Sequence, residues 1–389
     1  MSGAPGFLGK VAIAGVAYTE FSNESGRSVM DLATEVIRAA AADAGVELNA
    51  VDGIASYSVH GDSVSSQAMA TGLGLPGLTY VMDFHQGGQS PCYLAMLAAM
   101  AIDAKLADNV VVVRALNGRS GARIGHMPFF GAAGQYRYAI GYTSFLQYMA
   151  MWARRYMIET GSGYEDLGAV VIAQRQWARE NERAILRKAV TLDEYMESRF
   201  VADPYRGMDC TKEVDGACAL LLTSTERARD LRHPPVVLRG AGYLSGHRAG
   251  LEIGDFVGWK DFSNNFFHEL APRIYESAGL GPEDVDVVEL YDCFSSVVLD
   301  TLEAFGFCGR GEAGDFIRAG ETSRTGSRPT NTHGGLLSEG YLHGMNTLAE
   351  AVMQLQGRGG ARQVPDARIG LATSGANVDG AALILERDG

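Results

Sequence analysis

Little in this sequence provides for metal, nucleic acid or a membrane. The five cysteines, Cys92, Cys210, Cys218, Cys293 and Cys308, are odd in number and form no CxxC pair. None stands at metal-ligand spacing with a histidine, so the expectation is reduced, mostly buried thiols and no metal site. Cations are scarce: 33 Lys and Arg against 46 Asp and Glu leave a net charge of −13. That balance disfavours nucleic acid and anionic lipid as partners, although a local basic patch can still hold one phosphorylated ligand. No apolar run is long enough to span a bilayer. The first residues, MSGAPGFLGKVAIAGVAYTEF, lack a basic segment followed by an apolar stretch and a small-residue cleavage site, so a cytoplasmic protein is expected.

What the chain has in quantity is core. Of its 389 residues, 47% are hydrophobic. Residues 11–16 read as a strand, followed by a helix from Ser28 whose apolar positions Val29, Leu32, Ala33, Val36, Ile37 and Ala40 share one face. Strands follow over 53–59 and 79–84. The turn Gly87-Gly88-Gln89-Ser90-Pro91 comes next, with Ser90 a natural N-cap and Pro91 a natural first helical residue. The helix from there to about 105 is apolar on nearly every side and should lie buried between layers, so its N-terminus presents free N–H groups inside the protein. A buried strand over 109–116 ends this stretch.

From 117 to 209 the pattern turns irregular and aromatic-rich, which predicts an insertion, helical in part. A strand over 218–222 then closes a first half. A second alternation runs through strands at 235–238, 285–291, 369–373 and 381–385 and helices at about 264–278, 296–305 and 345–355. Strands alternating with helices predict parallel sheets flanked by helices. The expected domains are an N-terminal half (1–116 and 210–230), the insertion (117–209) and a C-terminal half (231–389).

Four segments carry chemistry. They are VDVVELYDCFS (285–295), PTNTHGG (329–335) with GYLHG (340–344), MDCTKEVDGACALLL (208–222) and GLATSGANVDGAALILE (370–386). The first resembles the VELHDCFS signature of the sterol carrier protein thiolases, and the second the thiolase NxxGG…GHPxG loop. The third is similar to the family's segment ending in DGAAA, and the fourth to the strand-loop-strand that carries its second cysteine. The resemblance spans nearly the whole chain. It implies an α/β thiolase fold, with duplicated βαβαβαββ halves in a five-layered α/β/α/β/α body.

The same resemblance places the nucleophilic cysteine at Gly88 and the two histidines at Tyr291 and Tyr341, and no cysteine stands in 370–386. Claisen condensation needs a thiolate and a base, so these substitutions argue against it. The tyrosine pair is similar to the thiolase-like aldolases of bacterial steroid side-chain degradation. Those cleave a β-hydroxyacyl-CoA to a steroid ketone or aldehyde and a short acyl-CoA such as propionyl-CoA.

On that resemblance Tyr291 serves the substrate hydroxyl, helped by Asp292 or His343, and Tyr341 serves the enolate carbon, or the two exchange roles. Backbone N–H groups near Gly88 and Gln89, or in the loop at Gly375, hold the enolate oxygen, aided by the helix end. Asn331 and His333 order water or the loop, and Gly334 and Gly335 line the substrate. No cofactor is implied beyond the CoA of the steroid acyl-CoA substrate, and no metal. A homodimer is implied that recruits a small partner built from an OB-fold and a zinc ribbon. Two other readings stand beside this one: a thiolase or acyltransferase using a displaced Cys92 or Cys293, and a non-catalytic lipid carrier. Arg154, Arg155, Arg175 and Arg179 are candidates for the CoA phosphates, with a solvated face as the simpler reading. His85 and His126 carry no partner pattern and read as structural.

Overall fold

The computed structural model describes residues 5–121, 134–246 and 261–389; His126 lies outside them. Among the described residues nine strands form the main sheet: β1 (Val11–Tyr18), β2 (Gly53–Tyr57), β3 (Tyr80–Phe84), β4 (Asn109–Asn117), β5 (Asp215–Ser224), β6 (Val236–Ser245), β7 (Val287–Glu289), β8 (Ile369–Ala376) and β9 (Asp379–Arg387). Their order is β3-β2-β4-β5-β1-β6-β9-β8-β7. The halves join through the short contact of Ala12 and Ile13 with Val237 and Val236, and each repeats one plan outward from it. In the first half the strands run fifth, fourth, second and third beyond β1. In the second, β9, β8 and β7 follow β6 in the same sense. The remaining strand shrinks to a single bridge, Val288 with Thr330. The duplication invisible as sequence identity is therefore plain in topology.

Among the described residues, parallel pairing joins β2 with β3, β2 with β4, β7 with β8, and Val288 with Thr330 in the single bridge. The other neighbours are antiparallel, so the parallel sheets predicted from alternation are mixed sheets. Each half ends in two adjacent strands that pair antiparallel, as a directly connected pair of neighbours does. In the second half β8 and β9 are a tight hairpin meeting at Ala376 and Asp379. In the first, β4 and β5 meet at Asn117 and Asp215, and the insertion is spliced into the tip of the equivalent hairpin.

Eight helices matter for the site: α1 (Val29–Ala44), α2 (Ser90–Asp103), α3 (Phe145–Thr160), α4 (Tyr164–Ala178), α5 (Phe267–Ala278), α6 (Ser295–Ala304), α7 (Gly335–Ser338) and α8 (Met345–Leu355). Alternation along the strands sorts them into layers. Val110 and Val112 face a central core with Ala95, Ala98, Leu348 and Val352, so α2 and α8 lie between the two halves. Val111 and Val113 face α1 on one outer side. Leu371 and Ile384 face α5 and α6 on the other. The insertion is more helical than its sequence suggests, because Tyr148, Met149, Trp152, Ala153, Tyr156 and Met157 form one buried face of α3. No helix among the described residues is long and apolar enough to cross a membrane.

Candidate active site

The strand predicted over 285–291 pairs only at 287–289, and the reason is functional geometry. Beyond Glu289 the chain leaves the sheet: the Leu290 N–H donates to the Asn331 side-chain oxygen (2.6 Å) and the Tyr291 N–H to the Thr373 hydroxyl (2.9 Å). Tyr291 is thereby turned across the ends of the strands. The segment just before β5 then clamps both tyrosine loops, with Cys210 bridging to Phe294 and Glu213 to Tyr341. The Tyr341 N–H donates to the Lys212 carbonyl at 2.8 Å.

These anchors bring the two phenols together, oxygen to oxygen, at 2.7 Å. The Tyr291 ring occupies a slot that two glycines open. A Cβ at Gly88 would fall 1.9 Å from the Tyr291 hydroxyl, and one at Gly344 would fall 2.8 Å from its ring. The phenol thus fills the space where a side chain at position 88 would stand. Glycine at 88 is a steric condition for the pair, not a turn requirement.

Helix α2 starts beside this slot. Gln89 is its N-cap and Ser90 its first residue, one earlier than expected, because the Ser90 hydroxyl donates to the Gln86 carbonyl instead of capping. The N–H groups of Gly88 and Gln89 meet no acceptor among the described residues. Ser374 ties the helix end to β8: its hydroxyl donates to the Gln89 carbonyl at 3.1 Å and accepts from the Cys92 N–H at 3.3 Å. Gly375, with φ of +97°, is the next residue. The Gly88, Gln89 and Gly375 backbone is therefore gathered beside the phenols, where free N–H groups and the helix end favour a negative oxygen.

Other predicted residues point elsewhere. Asp292 accepts from the N–H groups of Leu336 and Leu337 and caps α7; burial pushes its carboxyl up to about 7. Gly334 and Gly335 do not line an open cleft. A Cβ on the first would strike Ala178 of α4, and on the second Asp292 and Gln174, so both let the loop pack against the insertion. Asn331 holds the loop with a left-handed backbone (φ 50°), and its side-chain NH2 is buried without a partner.

His333 is buried with Glu289, whose carboxylate meets its Nδ1 at 2.9 Å, in a cluster with Glu339, Glu350, Arg183 and Arg362. Burial alone would lower its pKa, but Glu339, Glu289 and Glu350 outweigh that and hold it up to about 9. Charged, it balances three carboxylates against two guanidinium groups. Its stabilising charge is fully present below the ordinary value of about 6.5 and is lost as pH rises through about 9. Thermal unfolding should therefore show a loss of stability between pH 7 and 10, up to about 3 kcal/mol, that His333→Gln abolishes. The same curve in both proteins would refute this charge assignment.

The thiols stand in surroundings that disfavour the thiolate a nucleophile needs. Burial pushes Cys92, Cys210 and Cys308 up to about 12, and Cys218 and Cys293 well above the ordinary range. Cys92 is also fully enclosed, donating to the Ala372 carbonyl. Among the basic candidates, Arg154 pairs with Asp203, Arg155 with Glu159, and Arg175 is buried. Arg179 is exposed, and His85 meets Ser58.

One part of the site was missed from sequence. Arg114, fully buried in β4, holds Asp62 with both terminal nitrogens and meets the Nδ1 of His343 at 2.8 Å. A lone arginine inside the apolar run 109–117 was the available signal.

Comparison with known proteins agrees with this geometry. Residues 253–387 match the Thiolase C-terminal domain-like family. The chain belongs to the thiolase-like family, in its sterol carrier protein thiolase branch. It is 39% identical to a steroid side-chain-cleaving aldolase of Thermomonospora curvata, over 98% of each chain. It is 38% identical to the 17-hydroxy-3-oxo-4-pregnene-20-carboxyl-CoA lyase of Mycobacterium tuberculosis, over 97% of this chain and 99% of that one. A solved Ltp2-ChsH2(DUF35) aldolase superimposes with a TM-score of 0.92 at 38% identity, covering 98% of this chain and 99% of that one.

Proposed function

We propose that this chain is a carbon–carbon lyase that cleaves the side chain of a β-hydroxyacyl-CoA steroid by retro-aldol reaction. The products are a steroid ketone or aldehyde and a short acyl-CoA such as propionyl-CoA. The observation that carries this reading is the phenol pair, 2.7 Å apart, standing where a nucleophile at position 88 would be.

The reaction removes the proton of the β-hydroxyl, breaks the bond between the α- and β-carbons, and returns one proton to the α-carbon. Burial and the neighbouring phenol raise Tyr291 well above its ordinary value, and burial raises Tyr341. Both are neutral at pH 7. A lone phenolate base, already costing roughly 4 kcal/mol from an unperturbed pKa of about 10, is thus further out of reach. A relay needs none. One phenol oxygen accepts the substrate proton as its own proton passes to the other phenol, whose proton goes to carbon. Electrons of the broken C–C bond form the enolate, and the hydroxyl-bearing carbon becomes the carbonyl.

Tyr291 lies against Gly88, beside the N–H groups that would hold the enolate oxygen, and the α-carbon is one bond from that thioester carbon. We therefore assign Tyr291, 4% exposed, to the α-carbon and the partly buried Tyr341 to the hydroxyl, the exchanged one of the two orders left open by the sequence. The chemistry needs no cofactor beyond the CoA of the substrate. Partners are a second copy of this chain and a DUF35-type protein, the small OB-fold and zinc-ribbon chain expected above, acting in the cytoplasm. The support for the second partner is that the similar solved structure is an Ltp2-ChsH2(DUF35) aldolase.

Turnover of a panel of β-hydroxyacyl-CoA steroids, with and without the DUF35-type partner, tests the reading. Ketone and acyl-CoA should appear in equal amounts. Iodoacetamide should leave the rate unchanged, since no thiol takes part in the relay; loss of activity in step with alkylation of Cys92 or Cys293 would favour the thiolase reading instead.

A further inference from the structure

The Asp62–Arg114–His343 chain has no part in the relay above, yet it ends beside it. His343 has a left-handed backbone (φ 52°), costly for a non-glycine residue, between Leu342 and Gly344. The Tyr57 hydroxyl reaches the carbonyls of Leu342 and His343, at 3.1 and 3.2 Å, and fixes this turn. The His343 ring then packs edge-on to Tyr341, ring centroids 4.6 Å apart.

Arg114 decides what this imidazole is. A guanidinium has donors only, so the Nδ1 it meets at 2.8 Å must be the acceptor, and the ring proton must sit on Nε2. Asp62 holds the guanidinium in place with contacts of 3.0 and 2.5 Å, and the Arg114 side chain stacks over Tyr57. Burial and the adjacent Arg114 cation push the imidazole down to about 3, with Asp62 opposing, so it stays neutral. The groups facing it are Tyr57, Asp62, Arg114 and Tyr341. Its Nε2 has no acceptor among the described residues. Unlike the Nε2 of His333, it is not among the fully enclosed unpartnered atoms.

We propose that His343 is a neutral hydrogen-bond donor, through Nε2, to the substrate oxygen that Tyr341 deprotonates, and that Arg114 and Asp62 are positioning residues that lock its tautomer. This rests on the retro-aldol reading and deepens it. As the hydroxyl proton leaves for Tyr341, negative charge builds on that oxygen, and a neutral N–H, too weak an acid to give up its proton, stabilises it without competing for the transfer. A charged imidazolium would titrate near neutrality; the neutral, locked ring works unchanged across pH 5–8.

The test uses the full chain with its DUF35-type partner and a β-hydroxyacyl-CoA steroid. His343→Phe should lower kcat about 10²-fold with KM nearly unchanged, and His343→Gln, which keeps an N–H donor, should recover at least about tenfold of that loss. Arg114→Gln removes the cation, so a new acid limb near the ordinary histidine value of about 6.5 should enter the kcat profile. Nitrogen-15 shifts of the free protein should show His343 as the Nε2–H tautomer at pH 6. Wild-type kcat in His343→Phe, or an Nδ1–H or doubly protonated ring, overturns the proposal. If no steroid thioester is cleaved, the retro-aldol reading fails; the nitrogen-15 result needs no turnover and judges the locked ring separately.

Discussion

Changing Tyr291 or Tyr341 to phenylalanine is expected to lower kcat by about 10³-fold while leaving the fold intact. General acid–base groups contribute about 10²–10⁴-fold, and each phenol here is a link in the same relay. The two hydroxyls share one hydrogen bond and act as a unit. The double variant should therefore be about as slow as either single one, not the product of the two losses. KM should change little, because the lost group acts on the proton and not on the CoA or the steroid. Independent, multiplying losses would mean that the tyrosines serve separate steps.

Gly88→Ala is expected to be the next most damaging change, though it adds one methyl. That methyl would lie 1.9 Å from the Tyr291 hydroxyl and 2.1 Å from the adjoining ring carbon. The backbone at Gly88 is not in the left-handed region, so alanine adds no strain of its own there. The ring cannot retreat freely, since Gly344 closes the other side of its slot. The phenol must move, the 2.7 Å contact must break, and kcat should fall about 10²-fold, at a stability cost of about 1–3 kcal/mol from overpacking. Gly88→Cys should fail in the same way without gaining thiolase activity, because tyrosines stand where a thiolase has histidines. Wild-type kcat in Gly88→Ala would show that the phenol pair is not the working geometry.

The layered fold was legible because its signals are local. The face of Val29, Leu32, Val36 and Ala40 gave α1, and the all-round apolar 92–105 gave the central helix. Strand direction was not legible, because nothing in the residues of β4 or β5 says that a hairpin has been opened by nearly a hundred inserted residues. The tyrosine pair was found through motif resemblance, whereas its partners depended on packing. Asp292, adjacent to Tyr291 in sequence, faces the opposite way, toward the free N–H groups of α7. Gly334 and Gly335 proved to be contact points for an insertion that was read as helical in part but without any helix placed in it. Asp62 and Arg114 lie far from His343 in sequence, and only the parallel pairing of β2 with β4 brings them under the loop.

The central claim is that a proton passes through paired phenols and that no sulfur bonds to substrate. Rapid-quench intact mass spectrometry during turnover of a β-hydroxyacyl-CoA steroid tests it directly. The chain should keep its unmodified mass at every time point while ketone and acyl-CoA accumulate one to one. A transient acyl adduct on any of the five cysteines would contradict the account.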